Sequence, residues 1–156
     1  MKTAIDILPF SPGDENGIAL IEAECFSKPW SKKTILGEAS GQSIFLTAKH
    51  KNAVVGYISF RSVLDEGYIN NIAVTAKFRR LGIAGMLLEK AKSAAVSMGL
   101  SFLTLEVRSS NTAAVSLYLK NGYKQTGRRR GFYTDPPEDA LLLTLELGDK
   151  HENSCH

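Results

Sequence analysis

The stretch KFRRLGIAGMLLEKAK, residues 77–92, places Arg79 and Arg80 ahead of Gly82, Ala84 and Gly85 and then runs into an amphipathic helix. That pattern suits an anion. Small side chains let it approach the backbone, the arginines add charge, and a helix start offers unpaired N–H groups. No GxxxxGK followed by Ser or Thr is present, and the GxGxxG spacing is missed, which excludes the two commonest phosphate fingerprints. A solvated arginine pair before a flexible helix start is the other reading of the same residues. In SFLTLEVR, residues 101–108, alternation sets Leu103, Leu105 and Val107 on one face and Phe102, Thr104 and Glu106 on the other. A carboxylate in so apolar a strand is open to desolvation, which would raise its pKa toward that of a working base. An ion pair such as Glu106 with Arg108 is the alternative. Tyr118 follows on a helix, on the side of Ala114 and a turn from Val115, either as a phenolic donor or as a core tyrosine.

These residues need elements to position them. Residues 3–8 read as a strand, Asp14 as the cap of a first helix, and Ser31 as the cap of a short second one. Residues 43–49 and 53–61 read as a hairpin turning near Lys51 and Asn52, and EGYINNIAV as a third β-rich run. A helix that begins after Leu81 and ends at Gly99 separates that run from SFLTLEV, so the two strands should be parallel through a βαβ crossover. Asn111 can cap the helix carrying Tyr118, which ends at Asn121-Gly122, and strands near 123–130 and 139–147 close the chain. The fold class expected is α/β, a mixed sheet of six to seven strands flanked by about four helices. Parallel strands leave a crevice at their carboxyl ends, where the helix after Leu81 would aim its N–H groups.

The chain has 156 residues, 44% apolar content, and 19 Lys plus Arg against 16 acids for a net charge of +3. One domain over 1–147 is expected, with the polar tail 148–156 outside its core. The mild basic excess suits an anionic small molecule as well as nucleic acid. Cys25 and Cys155 form no CxxC, and His50, His151 and His156 fall in a predicted turn and the tail, exposed to solvent, so no metal site is expected. Neither a membrane span nor a leader pattern is seen, and a cytoplasmic location is expected.

Arg79-Arg80-Leu81-Gly82-Ile83-Ala84 resembles the pyrophosphate loop of the GNAT superfamily of N-acetyltransferases. NNIAV, LEVRSSNTAAVSLYLKNGY, RRRGFYTDPPEDALLL and KPWS together resemble the RimI type, the ribosomal-protein-alanine N-acetyltransferases, over nearly the whole chain to Leu147. The resemblance implies acetyl-coenzyme A as co-substrate. Its pantetheine arm would pair with the backbone of Ile72, Ala73 and Val74 on splayed parallel strands, and its pyrophosphate would lie on Arg79, Arg80, Leu81, Gly82, Ile83, Ala84 and Gly85. Asn111 would contact the coenzyme, although a plain helix cap explains it equally. Glu106 stands at the family's proton acceptor and Tyr118 at the tyrosine facing the sulfur. Phe132 and Tyr133 match the aromatic pair lining the peptide groove, with Phe132 where two tyrosines are common. The implied reaction is direct acetyl transfer, in a ternary complex, to the N-terminal alanine amine of a small-subunit ribosomal protein; lysine or a small amine is the alternative acceptor. Arg128, Arg129 and Arg130 would face ribosomal RNA or an acidic patch, or simply guard a solvated strand edge. No direct nucleic-acid or membrane partner is implied.

Overall fold

The computed structural model of the chain describes residues 3–148. In chain order it contains β1 (Asp6–Pro9), α1 (Asp14–Cys25), α2 (Lys32–Ala39), β2 (Ser43–His50), β3 (Ala53–Val63), β4 (Glu66–Val74), a 3-10 turn (Ala76–Phe78), α3 (Ile83–Ser97), β5 (Phe102–Arg108), α4 (Thr112–Lys120), β6 (Lys124–Thr134) and β7 (Pro137–Glu146). The seven strands follow the order β1-β2-β3-β4-β5-β7-β6. The class is mixed α/β, as expected. The chain forms two compact units: residues up to 62 together with 69–91, and 63–68 together with the residues from 92 onward.

In the first unit β1, β2 and β3 are antiparallel neighbours. Lys51 and Asn52 both adopt positive φ, 50° and 67°, the pair a type I′ hairpin turn needs. Ile18 and Ile21 of α1 and Ile35 of α2 are buried with Phe45, Tyr57 and Ala73. The rings of Phe10, Trp30 and Tyr57 surround Phe45 at centroid distances of 5.9, 6.2 and 6.0 Å. Ser31 caps α2, accepting the Thr34 N–H at 3.2 Å. Asp14 is not the cap of α1. Gly13 holds that position at φ 103°, while the Asp14 carboxylate accepts the Ser11 N–H at 2.8 Å and pairs with Lys49 at 2.9 Å. His50 is not in a free turn either: it ends β2, bonds the Ala4 carbonyl at 3.1 Å and lies 5.3 Å from the Phe78 ring.

In the second unit Glu66–Tyr68 of β4 run parallel to Phe102–Thr104 of β5, β5 pairs antiparallel with β7, and β7 with β6. Leu103, Leu105 and Val107 are buried, as are Leu141, Leu143 and Leu145 across the ladder. Gly67 is where the backbone comes close to its neighbours. A Cβ there would stand 2.7 Å from Leu103 Cδ2 and 3.0 Å from both Leu100 Cδ1 and the Phe102 carbonyl. β6 continues to Thr134, past the expected end near residue 130, because a register shift between Arg129 and Tyr133 absorbs Gly131 at φ 63°. The expected tail, apart from Gly148, lies outside the described residues.

Candidate active site

The first unit holds the segment expected to receive an anion. Val74 ends β4, the 3-10 turn follows, and α3 begins at Ile83. Between them Arg80 and Gly82 take positive φ, 65° and 79°. Glycine adopts that conformation freely, arginine does so at a cost, and nothing lies within 4 Å of a Cβ built on Gly82. The helical ladder starts with the Met86 N–H donating to the Gly82 carbonyl at 3.1 Å, so the amides of Ile83, Ala84 and Gly85 precede it. No acidic residue occupies the first turn of α3. Arg79, Arg80 and Leu81 are exposed, Ile83 is buried, and the donor set fits a pyrophosphate.

A carboxylate the sequence reading passed over steadies this loop. Glu24 of α1 accepts the Thr75 hydroxyl and the Ala76 N–H, each at 2.7 Å, and lies 3.7 Å from Arg79. The Thr75 bond first, then Ala76 and Arg79, hold its carboxyl below the usual range. Arg79 Nε also donates to the Val74 carbonyl at 3.0 Å, tying the loop back to the end of β4. Ala73 and Val74 are buried and Ile72 is half-buried. Glu22, also unforeseen, is 1% exposed. It accepts the Trp30 N–H at 2.7 Å, the Asn71 amide at 3.2 Å and the Tyr57 hydroxyl, so one carboxylate ties the KPWS segment to β3 and β4. Burial first, and then that bond, push the Tyr57 hydroxyl far up.

The second unit gathers the remaining residues. Glu106 lies on β5 beyond Thr104, the last β5 residue to pair with β4, opposite Leu142 of β7. Its side chain is 30% exposed and faces Arg129 Nε at 3.8 Å. The expected desolvation is therefore incomplete, and the expected partner differs. Arg108 turns instead to Glu138 at 3.4 Å and to the carbonyls of Pro136 and Asp135 at 2.9 and 3.0 Å. Arg108 also stacks 4.2 Å over the Tyr133 ring, and Arg129 lies 5.7 Å from the Phe132 centroid. Phe132 and Tyr133 meet edge to face at 5.1 Å. Burial, then the charge of Glu106, raise the Tyr133 hydroxyl.

Tyr118 is 5% exposed, its ring 5.5 Å from that of Tyr123. Burial, then Tyr133, push its hydroxyl well above the ordinary phenol range. Asn111 caps α4 by accepting the Ala114 N–H at 3.2 Å. Glu138 holds the loop before it, accepting the Ser110 N–H at 2.5 Å and the Ser109 hydroxyl at 3.1 Å. Its carboxyl is lowered, by the Ser110 contacts first. Asp139 takes the Arg128 guanidinium and the Gly131 N–H, each at 2.9 Å, fixing the irregular part of β6. The sequence signal for both acids was the Glu-Asp-Ala triplet, whose positioning role only the fold reveals.

Residues 16–123 match the Acetyltransferase (GNAT) family. The chain is 34% identical over 129 residues to a ribosomal protein bS18-alanine N-acetyltransferase of Salmonella typhimurium, covering 81% of this chain and 87% of that protein. The crystal structure of the ribosomal-protein-S18-alanine N-acetyltransferase from Escherichia coli superposes with a TM-score of 0.87 at 30% identity, covering 96% of this chain and 98% of that one. A GNAT family acetyltransferase from Elizabethkingia anophelis, solved with acetyl-CoA bound, gives 0.74 at 26% identity, with 91% and 97% covered.

Proposed function

The chain belongs to the GNAT acetyltransferase family and is an acetyl-CoA-dependent N-acetyltransferase, and from this premise we propose that it acetylates the N-terminal alanine amine of a ribosomal protein by direct transfer in a ternary complex. The likeness to the Salmonella enzyme carries the choice of substrate. Residues 1–147 act as a single acetyltransferase domain in this reading.

Arg79, Arg80 and the amides at the start of α3 bind the pyrophosphate, and Leu81, Gly82, Ile83, Ala84 and Gly85 shape the turn around it. Ile72, Ala73 and Val74 offer backbone to the pantetheine amides. Asn111 contacts the coenzyme from the cap of α4. Phe132 and Tyr133 line the peptide side.

An α-amino group with a pKa of about 7.8 is neutral in roughly one molecule in seven at pH 7, against a few in ten thousand for lysine at about 10.4. A modest base therefore suffices. Glu106 accepts the proton as the amine attacks the thioester carbonyl. When the carbon–sulfur bond breaks, the departing thiolate takes a hydrogen bond from Tyr118. An ordinary phenol is a weaker acid than a thiol by about 1.5 pKa units, so full proton transfer would be uphill by about 2 kcal/mol, and burial of Tyr118 makes it steeper. Tyr118 thus donates a hydrogen bond through the transition state and yields its proton only at or after bond breaking.

The test mixes purified protein with acetyl-CoA and an alanine-initiated peptide and reads free thiol and peptide mass. One acetyl group on the α-amine is expected. Equal acetylation of a lysine peptide with a blocked terminus would move the assignment to a lysine or small-amine acceptor.

A further inference from the structure

Arg129 is the cation that stands beside Glu106. Its guanidinium Nε lies 3.8 Å from Glu106 Oε1, with side chains 56% and 30% exposed, and its Cζ lies over the Phe132 ring, 5.7 Å from the centroid. The placement is built rather than incidental. Asp139 anchors Arg128 and the Gly131 N–H, and the register shift between Arg129 and Tyr133 is held by that clamp.

The surroundings of Glu106 leave Arg129 as its partner. On β5, Arg108 is committed to Glu138 and two carbonyls; on β7, Leu142 lies opposite and Glu138 is taken by Ser109, Ser110 and Arg108. From β6 come Tyr133 and Arg129, with Arg128 paired to Asp139 at 2.9 Å and the charge of Arg130 also acting on Asp139. From the part of β4 in this unit, Glu66 accepts the Tyr68 hydroxyl at 2.7 Å. Tyr118 is the titratable group on the inner side of α4. Among the described residues Glu106 is the one carboxylate in ion-pair contact with Arg129.

We propose that Arg129 is a selectivity residue that holds the ammonium position beside Glu106, so that a substrate amine is admitted in its neutral form and protonated amines are turned away. The proposal rests on Glu106 as the acceptor named above. A carboxylate alone would attract ammonium ions and keep the bound amine protonated. A guanidinium beside it cancels that attraction and favours the uncharged nucleophile. Because the pair is partly exposed, its attraction is modest, and Arg129 acts by the charge it keeps beside the bound amine.

The sign follows directly. Removing a positive charge from beside the bound amine favours its protonated form, so the acid limb of kcat must move to higher pH. The experiment measures kcat against pH for the alanine-initiated peptide at saturating acetyl-CoA. Arg129→Gln is expected to shift the limb up by about half a pH unit or more, and Arg129→Lys to keep the wild-type limb. Should Arg129→Gln fail to fold, Arg129→Met removes the same charge while keeping an apolar stem, and the same upward shift is expected of it. A folded variant without the charge that keeps the wild-type limb overturns the proposal. A wild-type protein that transfers nothing to the peptide overturns the functional reading instead, so the two failures are distinct.

Discussion

In the proposed reaction Glu106 and Tyr118 divide the proton chemistry between an acceptor that water reaches and a donor that it scarcely does, and each makes a separate prediction. Glu106→Gln should lower kcat on the alanine-initiated peptide by about 10²-fold at neutral pH, with the deficit shrinking as pH rises above the α-amine pKa of about 7.8. A pH-independent deficit would deny Glu106 the role of base. Tyr118→Phe should cut kcat by about tenfold or more with the KM for acetyl-CoA little changed, since the hydrogen bond forms on the departing sulfur. Tyr123 makes a contrasting case. Its hydroxyl is buried and has no hydrogen-bond partner among the described residues. Replacing it with phenylalanine removes an unsatisfied group, so Tyr123→Phe should leave stability unchanged or raise it by up to about 1–3 kcal/mol in urea denaturation at pH 7. At this scale an acid in an apolar strand and a tyrosine on an amphipathic helix marked Glu106 and Tyr118 as candidates, while the choice of base over ion pair and of donor over core tyrosine came from the family resemblance. Arg129 as the partner of Glu106 was not legible in the sequence, because the choice between Arg108 and Arg129 depends on how β6 turns around Gly131.

The elements themselves follow local patterns closely. EGYINNIAV became β4 residue for residue, the hairpin turns at Lys51 and Asn52, and Ser31 and Asn111 cap their helices. What local pattern does not contain is long-range pairing. Nothing in the two closing strands says that β7 inserts between β5 and β6, because that order is set by which strand buries Leu141, Leu143 and Leu145 against β5. The 3-10 turn at Ala76–Phe78 was missed for a similar reason, since its stabilising carboxylate, Glu24, belongs to α1. Gly67 offers a stability test of the parallel pairing. Gly67→Ala sets a methyl 2.7 Å from Leu103 Cδ2 and against backbone, so the strands must shift, and urea denaturation should report a loss of about 1–3 kcal/mol. Unchanged stability would show that β4 and β5 are not packed as described.

At the scale of the whole molecule, three tyrosines, Tyr57, Tyr118 and Tyr123, are buried with their hydroxyls pushed up by desolvation. Above the ordinary phenol pKa of about 10 the unfolded chain releases protons that the folded one retains. Their stabilising contribution is thus complete below that pH and is lost as pH rises through it, by up to about 1.4 kcal/mol per tyrosine per pH unit. Urea midpoints should fall steeply from about pH 10 upward, and less steeply in Tyr123→Phe; equal slopes would contradict that burial. Among the described residues no helix is long and apolar enough to cross a membrane. The central claim is that the segment from Arg79 to Gly85 receives the diphosphate of acetyl-CoA, and calorimetric titration of acetyl-CoA tests it directly. Saturable binding is expected of the wild type, with affinity weakened by about tenfold or more in the double variant Arg79→Gln, Arg80→Gln. No binding by the wild type, or equal affinity in both proteins, would contradict it.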